Sequence, residues 1–383
     1  MNKIFDIFII GGGINGAGIA RDASGRGLSV YLAEKGKVGS ATSSWSSKLI
    51  HGGLRYLENY QFKFVRESLK EREVITNIAP TITRSLPFII PHTKKLRSKL
   101  IIRLGLFLYD NLGGKSKIPK SSKVNLNEKY FNILQSKFSV GFKYYDVQVD
   151  DKKLVEMNID DAKKLGATII ENTEVISAKR VTEGWEITLD NEEKIKSKIL
   201  INAAGPWINE IVNDVIKINT NKKIRLVRGS HIVTKKLYEE EVAFTLQNED
   251  NRIVFVIPYK KEFSLIGTTE VDVKTADNPS ISDEEKIYLI NIINNHFVKQ
   301  ISNQDIVDTY SGIRPLIEDF KEASKVTRDY VFDLNLQDKN SPLLNIYGGK
   351  LTTYRKLSEE VIEELDPYLP IKKTKHWTAF KSL

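Results

Sequence analysis

The hydrophobic pattern of the N-terminal segment predicts a strand, a helix and a second strand. Residues 5–10 form a short apolar run that ends in three glycines, and a helical stretch follows to about Ser24. Gly25 and Gly27 end that helix, and residues 28–33 form a second apolar run of strand type. The pattern therefore predicts a β-α-β unit at the N-terminus.

Beyond this unit the pattern alternates between helices and strands and becomes strand-rich near residue 225. The predicted elements are helices over 60–78, 151–166, 282–300 and 352–365, and strands over 167–171, 186–189, 198–202, 224–233, 252–258, 263–269 and 343–347. This order predicts an α/β protein whose discontinuous, Rossmann-like nucleotide-binding domain is interrupted by a substrate domain built on antiparallel strands. The predicted ranges are 1–90, 148–222 and 308–383 for the nucleotide-binding domain, and 91–147 and 223–307 for the substrate domain.

The composition limits the chemistry that the chain can perform by itself. Its 383 residues include no cysteine, which excludes disulfides, thiolate metal sites, iron–sulfur clusters and a cysteine nucleophile. Any redox chemistry must therefore use a bound cofactor. The net charge of +9 permits anionic ligands or anionic lipid without identifying either. The pattern predicts neither a signal peptide nor a stretch long enough to span a bilayer.

A glycine-rich turn lies between the first strand and the first helix. Residues 11–16 read Gly-Gly-Gly-Ile-Asn-Gly and fit the dinucleotide fingerprint G-x-G-x-x-G. Gly11 allows the tight turn, Gly13 lets the backbone approach a pyrophosphate, and Gly16 permits close packing of helix on strand. Glu34 lies 18 positions after Gly16, at the end of the next strand, where an acid can hold a ribose hydroxyl. These residues predict a dinucleotide site.

The fingerprint alone fits either FAD or NAD. A single site of this kind, without a thiol or metal cluster to carry electrons onward, favours a tightly bound flavin that reacts with an external electron acceptor. Residues 348–353, Gly-Gly-Lys-Leu-Thr-Thr, form a second turn between a strand and a helix. The dipole of that helix could stabilise negative charge on a reduced flavin, although an ordinary strand–helix turn is the alternative.

Residues 42–58 concentrate hydroxyl side chains, followed by Lys48, His51 and Arg55. Together with the fingerprint, this segment resembles the bacterial aerobic FAD-dependent glycerol-3-phosphate dehydrogenases, within the D-amino-acid-oxidase-like flavoprotein superfamily. Further blocks that look like this family are 202–207, 228–233, 246–250, 252–258, 266–269, 310–315, 327–330 and 348–355.

The resemblance implies FAD as cofactor and oxidation of sn-glycerol 3-phosphate to dihydroxyacetone phosphate. It further implies that a hydride passes from C2 of the substrate to flavin N5, and that the electrons pass to ubiquinone or menaquinone in the membrane. The residues expected at the cofactor are Gly11, Gly13, Ile14, Asn15, Gly16, Glu34, Lys35, Thr42, Ser43, Ser46, Lys48, His51, Val175, Ala204, Gly205, Gly349, Leu351 and Thr352. No metal is expected.

A phosphate dianion on a small polyol calls for arginine and lysine in a closed pocket. The residues expected at the substrate are Arg55, Tyr56, Arg314, Arg328 and Lys350. His231, inside an apolar β-run, is the candidate base for the C2 hydroxyl because imidazole titrates near neutral pH. The alternatives are that His231 is a hydrogen-bonded core residue, and that Arg314 stabilises the developing alkoxide.

A stretch near 94–112 is predicted to be a basic amphipathic helix. Leu100, Leu104 and Phe107 share one side, and Lys95, Lys99 and Arg103 lie opposite. Such a helix can lie on anionic lipid, but Ile102 and Leu106 fall on the basic side, so a partly buried helix of the substrate domain is the alternative. The family resemblance favours the membrane, and implies a cytoplasmic enzyme on the inner face of the cell membrane.

Other functions stay open from the sequence. A related flavin oxidase that uses oxygen fits the cofactor motifs. A shortened, weakly active or inactive FAD-binding remnant is a second alternative, because the family carries a helical C-terminal domain and this sequence stops at Leu383. Nucleic acid is not an expected partner, since no nucleic-acid motif accompanies the scattered lysines. The oligomeric state is open, with a homodimer as one alternative.

Overall fold

The computed structural model of the chain describes residues 3–93, 97–128, 131–220, 222–317, 329–336, 341–370 and 376–383. In chain order its strands are β1 (Ile4–Ile10), β2 (Val30–Ala33), β3 (Leu49–Ile50), β4 (Thr83–His92), β5 (Ser122–Asn125), β6 (Val140–Val149), β7 (Thr168–Ile170), β8 (Val175–Val181), β9 (Gly184–Leu189), β10 (Lys194–Asn202), β11 (Ile224–Lys235), β12 (Ala243–Gln247), β13 (Ile253–Tyr259), β14 (Phe263–Gly267), β15 (Val271–Val273), β16 (Ile306–Ile317), β17 (Tyr330–Asn335) and β18 (Leu343–Gly348). Its helices are α1 (Ile14–Gly25), α2 (Phe62–Ile78), α3 (Lys99–Leu112), α4 (Asp151–Lys164), α5 (Ile208–Glu210), α6 (Asp283–His296) and α7 (Tyr354–Leu365). A π-helical segment, Ile211–Ile216, continues α5.

The first sheet is mainly parallel and has the strand order β17-β18-β10-β1-β2-β7. Its five strands from β18 to β7 run in one direction, β17 is antiparallel to β18, and the β8–β9 hairpin is joined to β10. Successive side chains of β1 enter opposite cores, as the two-residue period of a strand requires. Ile7 and Ile9 pack with α1, α4 and α7, whereas Phe8 and Ile10 pack with the hairpin side.

The second sheet is mainly antiparallel and has the order β15-β11-β14-β13-β12-β4-β6-β3, with β16 beside β11 and β5 beside β6. Helix α6 covers the side of this sheet that holds Ile232, Phe244 and Ile266. Helices α2 and α3 cover the side that holds Phe88 and Tyr144. The predicted α/β class, with a Rossmann-like part and an antiparallel part, is confirmed.

The hydrophobic pattern does not predict several of the observed strands. Strand β4 contains Pro87 and Pro91, which weaken a strand signal because proline cannot donate to the ladder. The predicted domain boundaries at 90, 147 and 308 fall inside β4, β6 and β16, all in the second sheet. The domain ranges themselves stay a prediction.

Helix α3 presents apolar side chains in two directions. Ile102, Leu106 and Tyr109 are buried against the core. Leu100, Leu104 and Phe107 are exposed to 78%, 59% and 63%. Residues 94–96 of the predicted amphipathic stretch, including Lys95, lie outside the described residues. In the part of the chain that is described, no helix combines the length and the apolar character that crossing a bilayer demands.

Candidate active site

A cavity of about 690 Å³ lies where the two sheets meet. The ends of β1, β2, β10 and β18 border it, since the carboxyl ends of parallel strands share one edge of a sheet. Strands β11, β13 and β16 of the second sheet close the other side. The predicted site residues that line the cavity are Gly11, Gly13, Ile14, Asn15, Glu34, Lys35, Thr42, Ser43, Ser46, His51, Tyr56, Val175, Ala204, Gly205, His231, Arg314, Gly349, Lys350, Leu351 and Thr352.

The first glycine turn has the backbone geometry that the fingerprint requires. Gly11 has φ +102°, and a Cβ there would lie 2.8 Å from the Ala203 carbonyl oxygen. A Cβ on Gly16 would lie 2.0 Å from the Gly11 carbonyl oxygen, so Gly16 serves the packing of α1 on β1 and does not line the cavity. Helix α1 begins at the cavity, where the Ile14 N–H donates to Ser43 Oγ at 2.9 Å.

Glu34 lies at the end of β2 and its carboxylate is held by backbone donors. Gly12 N–H donates to Oε2 at 2.6 Å, and Gly36 N–H donates to Oε1 at 2.8 Å. The neighbouring Lys35 places its ammonium 4.2 Å from the ring centroid of Trp207, which follows β10. These contacts join the ends of β2 and β10 at one end of the cavity.

The second glycine turn faces the first. Gly348 and Gly349 have φ +78° and +92°, and the 3₁₀ turn Leu351–Thr353 leads into α7. Asn15 Nδ2 donates to the Gly348 carbonyl at 3.3 Å, while Asn15 Oδ1 is buried without a hydrogen-bond partner among the described residues. Thr352 Oγ1 accepts from the His51 N–H at 3.2 Å. Two helix N-termini therefore face one cavity.

FAD fits this donor set and shape. The helix N-terminus beside Gly11 and Gly13 is suited to the pyrophosphate, and Glu34 is suited to the ribose. Asn15 lines the cavity beside the two glycine turns, and its Oδ1 is a buried polar atom without a hydrogen-bond partner among the described residues. The fold and the site together define a doubly wound oxidoreductase that binds FAD.

The chain belongs to the family described as FAD dependent oxidoreductase, whose model matches residues 6–355. It is 46% identical to the glycerol-3-phosphate dehydrogenase of Pseudomonas tolaasii, an alignment that covers 100% of this chain and 75% of that protein. It is 43% identical to the D-erythritol 1-phosphate dehydrogenase of Brucella abortus, over 95% of this chain and 74% of that protein. The structure of glycerol-3-phosphate dehydrogenase from Bacillus halodurans complexed with FAD has a TM-score of 0.77 and 25% identity, covering 99% of this chain and 68% of that one. The predicted family resemblance, enzyme class and cofactor are confirmed.

Arg314 lies on β16, opposite Val227 of β11, and its side chain reaches back across Gly229. Its Nη2 donates to Thr268 Oγ1 at 2.7 Å, and its Nη1 lies 3.4 Å from the Thr269 carbonyl. A Cβ on Gly229 would lie 2.2 Å from Nη2, so the guanidinium occupies the space that a side chain there would fill. Gly229 pairs with Gly312, which leaves the cavity face of this strand pair without side chains between Arg314 and His231.

His231 is buried and pairs with Tyr310 in the same ladder, with the two rings stacked at a centroid distance of 4.8 Å. Its Nε2 is 3.0 Å from Ser47 Oγ, and its Nδ1 has no hydrogen-bond partner among the described residues. Burial lowers the pKa of His231 to about 3, and the positive charges of Arg314 and Lys48 act in the same direction. The imidazole is therefore neutral at physiological pH and retains a lone pair.

Lys350 and Tyr56 come together at the same part of the cavity wall. Lys350 Nζ donates to Ser68 Oγ at 2.7 Å and lies 3.8 Å from the Phe64 ring centroid. Tyr56 lies in the 3₁₀ helix Leu54–Asn59, and the centroid of its ring is 5.6 Å from the same ammonium. Arg55 precedes Tyr56 in this helix but is half-buried and does not line the cavity. Arg328 lies outside the described residues.

Lys48 is a predicted cofactor residue that the structure places elsewhere. Its ammonium forms an ion pair of 2.7 Å with Asp151, whose side chain is fully buried at the start of α4. Ser46 lines the cavity, yet its hydroxyl donates to the same carboxylate at 2.7 Å. Lys48 does not line the cavity. Its ammonium stays behind the cavity wall because it compensates the buried negative charge of Asp151.

The cavity residues that are not among the predicted ones include Ser47, Thr268 and Phe255. Ser47 and Thr268 hold His231 and Arg314, so their role depends on contacts between segments far apart in the chain. Both residues belong to hydroxyl-rich motifs, and these motifs are the feature of the sequence that could have indicated them. Among the described residues, no group of three His, Asp or Glu is arranged to bind a metal.

Proposed function

We propose that the chain oxidises sn-glycerol 3-phosphate to dihydroxyacetone phosphate and delivers the electrons to a membrane quinone. The observation that carries the proposal is a neutral, buried His231 in the wall of a cavity that fits FAD and that two cationic side chains, Arg314 and Lys350, also line. The relatives named as glycerol-3-phosphate dehydrogenases support the substrate.

The cationic residues suit a phosphate dianion. Arg314 offers a planar guanidinium, Lys350 an ammonium, and Tyr56 a hydroxyl donor. Ionic hydrogen bonds are stronger than neutral ones, and they strengthen further where less solvent competes for the charged groups. These three residues bind and orient the phosphate so that the rest of the polyol extends toward His231.

His231 accepts the proton of the C2 hydroxyl as the C2 hydride leaves. Bound FAD supplies the acceptor for that hydride. The anionic substrate raises the pKa of His231 above its value in the free protein, because a negative charge stabilises the imidazolium and offsets Arg314 and Lys48. The protein thus keeps the imidazole neutral until the substrate arrives, and then makes it a better base.

Anaerobic addition of sn-glycerol 3-phosphate to the purified holoprotein should bleach the flavin absorbance in a single turnover. The chain supplies phosphate-binding cations and a neutral base at one site, so the substrate should reduce the bound flavin without an added electron acceptor. Absorbance near 450 nm, recorded by stopped flow, is the measurement. Bound flavin that stays oxidised would contradict the proposal and favour an inactive remnant.

D-erythritol 1-phosphate is the second candidate substrate, because a relative of 43% identity carries that name. The same stopped-flow experiment decides between the two compounds. We expect the limiting rate of flavin reduction to be larger with sn-glycerol 3-phosphate, and the reverse order would reassign the substrate. Admitting oxygen or a short-chain quinone to the reduced protein then compares the two acceptors.

The exposed apolar side of α3 supports a membrane location. Leu100, Leu104 and Phe107 project from the protein, while Lys99 and Arg103 on the same helix are exposed. Apolar side chains with flanking cations suit the interface of an anionic bilayer. We therefore place α3 on the inner face of the cell membrane, where a quinone is available.

The variant Leu100→Gln/Leu104→Gln/Phe107→Gln should lose binding to anionic lipid vesicles. Burying one Leu or Phe side chain contributes about 1.5–3 kcal/mol, so the partition coefficient should fall by more than about a hundredfold. Vesicle sedimentation measures it, and flavin reduction by substrate should be unchanged. The control variant Ile176→Gln/Ile287→Gln/Val298→Gln replaces three other exposed apolar residues. Equal losses in both variants would contradict the assignment of α3.

A further inference from the structure

A buried carboxylate lies behind the strand pair that carries His231 and Arg314. Residues of β11 alternate between the cavity and the opposite face, so Gly229 and His231 point to the cavity and Arg228 and Ser230 point away. On that far face Glu285, in the first turn of α6, is only 4% exposed. It does not line the cavity.

Glu285 binds two separate segments at once. Oε1 accepts from Ser230 Oγ at 2.8 Å and from Thr269 Oγ1 at 2.5 Å. Oε2 accepts from Arg228 Nη2 at 2.6 Å and from the Ser282 N–H at 2.9 Å. The carboxylate therefore ties β11 to the segment that follows β14.

That segment holds Arg314. Thr268 Oγ1 accepts from Arg314 Nη2, and the Thr269 carbonyl lies beside Nη1. Thr269 is in turn fixed to Ser230, because the Ser230 N–H donates to Thr269 Oγ1 at 2.9 Å and the Thr269 N–H donates to the Ser230 carbonyl at 3.2 Å. Ser230 directly precedes His231. A shift of Glu285 would therefore reach both residues of the proposed site.

Glu285 is ionised at neutral pH. Burial by itself would raise its pKa, but hydrogen bonds from Thr269, Ser282 and Ser230 and the charge of Arg228 lower the pKa below its usual value. An ionised carboxylate accepts four hydrogen bonds that an amide cannot reproduce, since one end of an amide donates.

We propose that Glu285 is a positioning residue that fixes Ser230 and Thr269, and through them aligns His231 and Arg314 with the substrate. The inference rests on the proposed function, because it assumes that these two residues act on the phosphorylated polyol. Catalysis depends on alignment at the level of about 1 Å, so a residue outside the cavity can have a large effect on the rate.

The test compares Glu285→Gln, Thr269→Val and Thr269→Ser in the FAD-loaded protein. Valine keeps the shape of threonine without its hydroxyl, whereas serine keeps the hydroxyl that Glu285 accepts. Glu359→Gln is the matched control, since Glu359 is also a buried carboxylate bound by an arginine and a threonine hydroxyl, Arg355 and Thr378. The readouts are the limiting rate of flavin reduction, the dissociation constant of 3-hydroxypropyl phosphate measured from the flavin absorbance change, and Tm.

We expect Glu285→Gln and Thr269→Val to slow flavin reduction by about ten- to a hundredfold and to weaken binding of 3-hydroxypropyl phosphate. Thr269→Ser should stay within about threefold of the unmodified protein. The double variant Glu285→Gln/Thr269→Val should be no slower than the slower of its two single variants. Glu359→Gln should lower Tm and leave the other two readouts within about twofold. If Glu285→Gln does not fold, the two Thr269 variants decide.

Unchanged rate and binding in Glu285→Gln, or in Thr269→Val, would overturn the inference, as would equal losses in Glu359→Gln. Failure of the proposed function looks different, because the unmodified protein would then not be reduced by sn-glycerol 3-phosphate at all.

Discussion

The variant His231→Ala should reduce the rate constant of flavin reduction by about 10²–10⁴-fold, the usual contribution of a positioned general base. The proton of the C2 hydroxyl must leave as the hydride does, and His231 is the buried neutral base in the cavity wall. His231 lines the cavity, and its buried Nδ1 has no hydrogen-bond partner among the described residues. Stopped-flow reduction by sn-glycerol 3-phosphate measures the effect.

Binding separates a catalytic His231 from a structural one. The affinity for 3-hydroxypropyl phosphate, which lacks the C2 hydroxyl, should change less than about threefold in His231→Ala. A rate equal to that of the unmodified protein would remove His231 as the base. His296→Ala is the control, since His296 is another buried histidine with a lowered pKa, but it binds the Ile292 carbonyl away from the cavity.

The low pKa of His231 also has a consequence for stability. Between pH 6.5 and about 3 the unfolded chain binds a proton at this position and the folded chain does not. Stability that is fully present above pH 6.5 is therefore lost as the pH falls toward 3. The free energy of unfolding should fall less steeply over this range in His231→Ala than in the unmodified protein.

The cofactor end of the cavity could be predicted from local sequence because its parts are local. A glycine turn after a strand, with an acid at the end of the next strand, fixes positions that parallel pairing brings to one edge. Gly11, Gly349 and Glu34 accordingly lie in the cavity wall. Gly16 serves packing and does not line the cavity, as the fingerprint itself assigns it.

The substrate end depends on pairing that no short segment encodes. The register of β11 against β16 places Gly229 opposite Gly312 and brings Arg314 toward His231 across 83 positions of sequence. Lys48 pairs with Asp151 behind the cavity wall, and nothing near it in the chain indicates that pairing. Glu285 was missed for the same reason, since three of its four donors, Arg228, Ser230 and Thr269, come from two other segments of the chain.

Arg314→Ala should weaken the affinity for sn-glycerol 3-phosphate by about a hundredfold or more. Each hydrogen bond to a charged group contributes about 1.5–3 kcal/mol, and a guanidinium can make two to one phosphate. Arg314 lines the cavity, where a phosphate dianion can approach its guanidinium. Titrating the flavin absorbance with 3-hydroxypropyl phosphate measures the affinity without turnover.

The same titration distinguishes the two roles open to Arg314. A phosphate clamp predicts that Arg314→Ala loses affinity for 3-hydroxypropyl phosphate as much as for the substrate, and that Arg314→Lys recovers part of it, because lysine keeps the charge and loses the planar fork. Stabilisation of the alkoxide instead predicts normal affinity with slow flavin reduction. Arg225→Ala is the control, since Arg225 lies on the adjacent strand and pairs with Asp272 outside the cavity. Normal affinity in Arg314→Ala would contradict the clamp, and would leave Lys350 and Tyr56 to hold the phosphate.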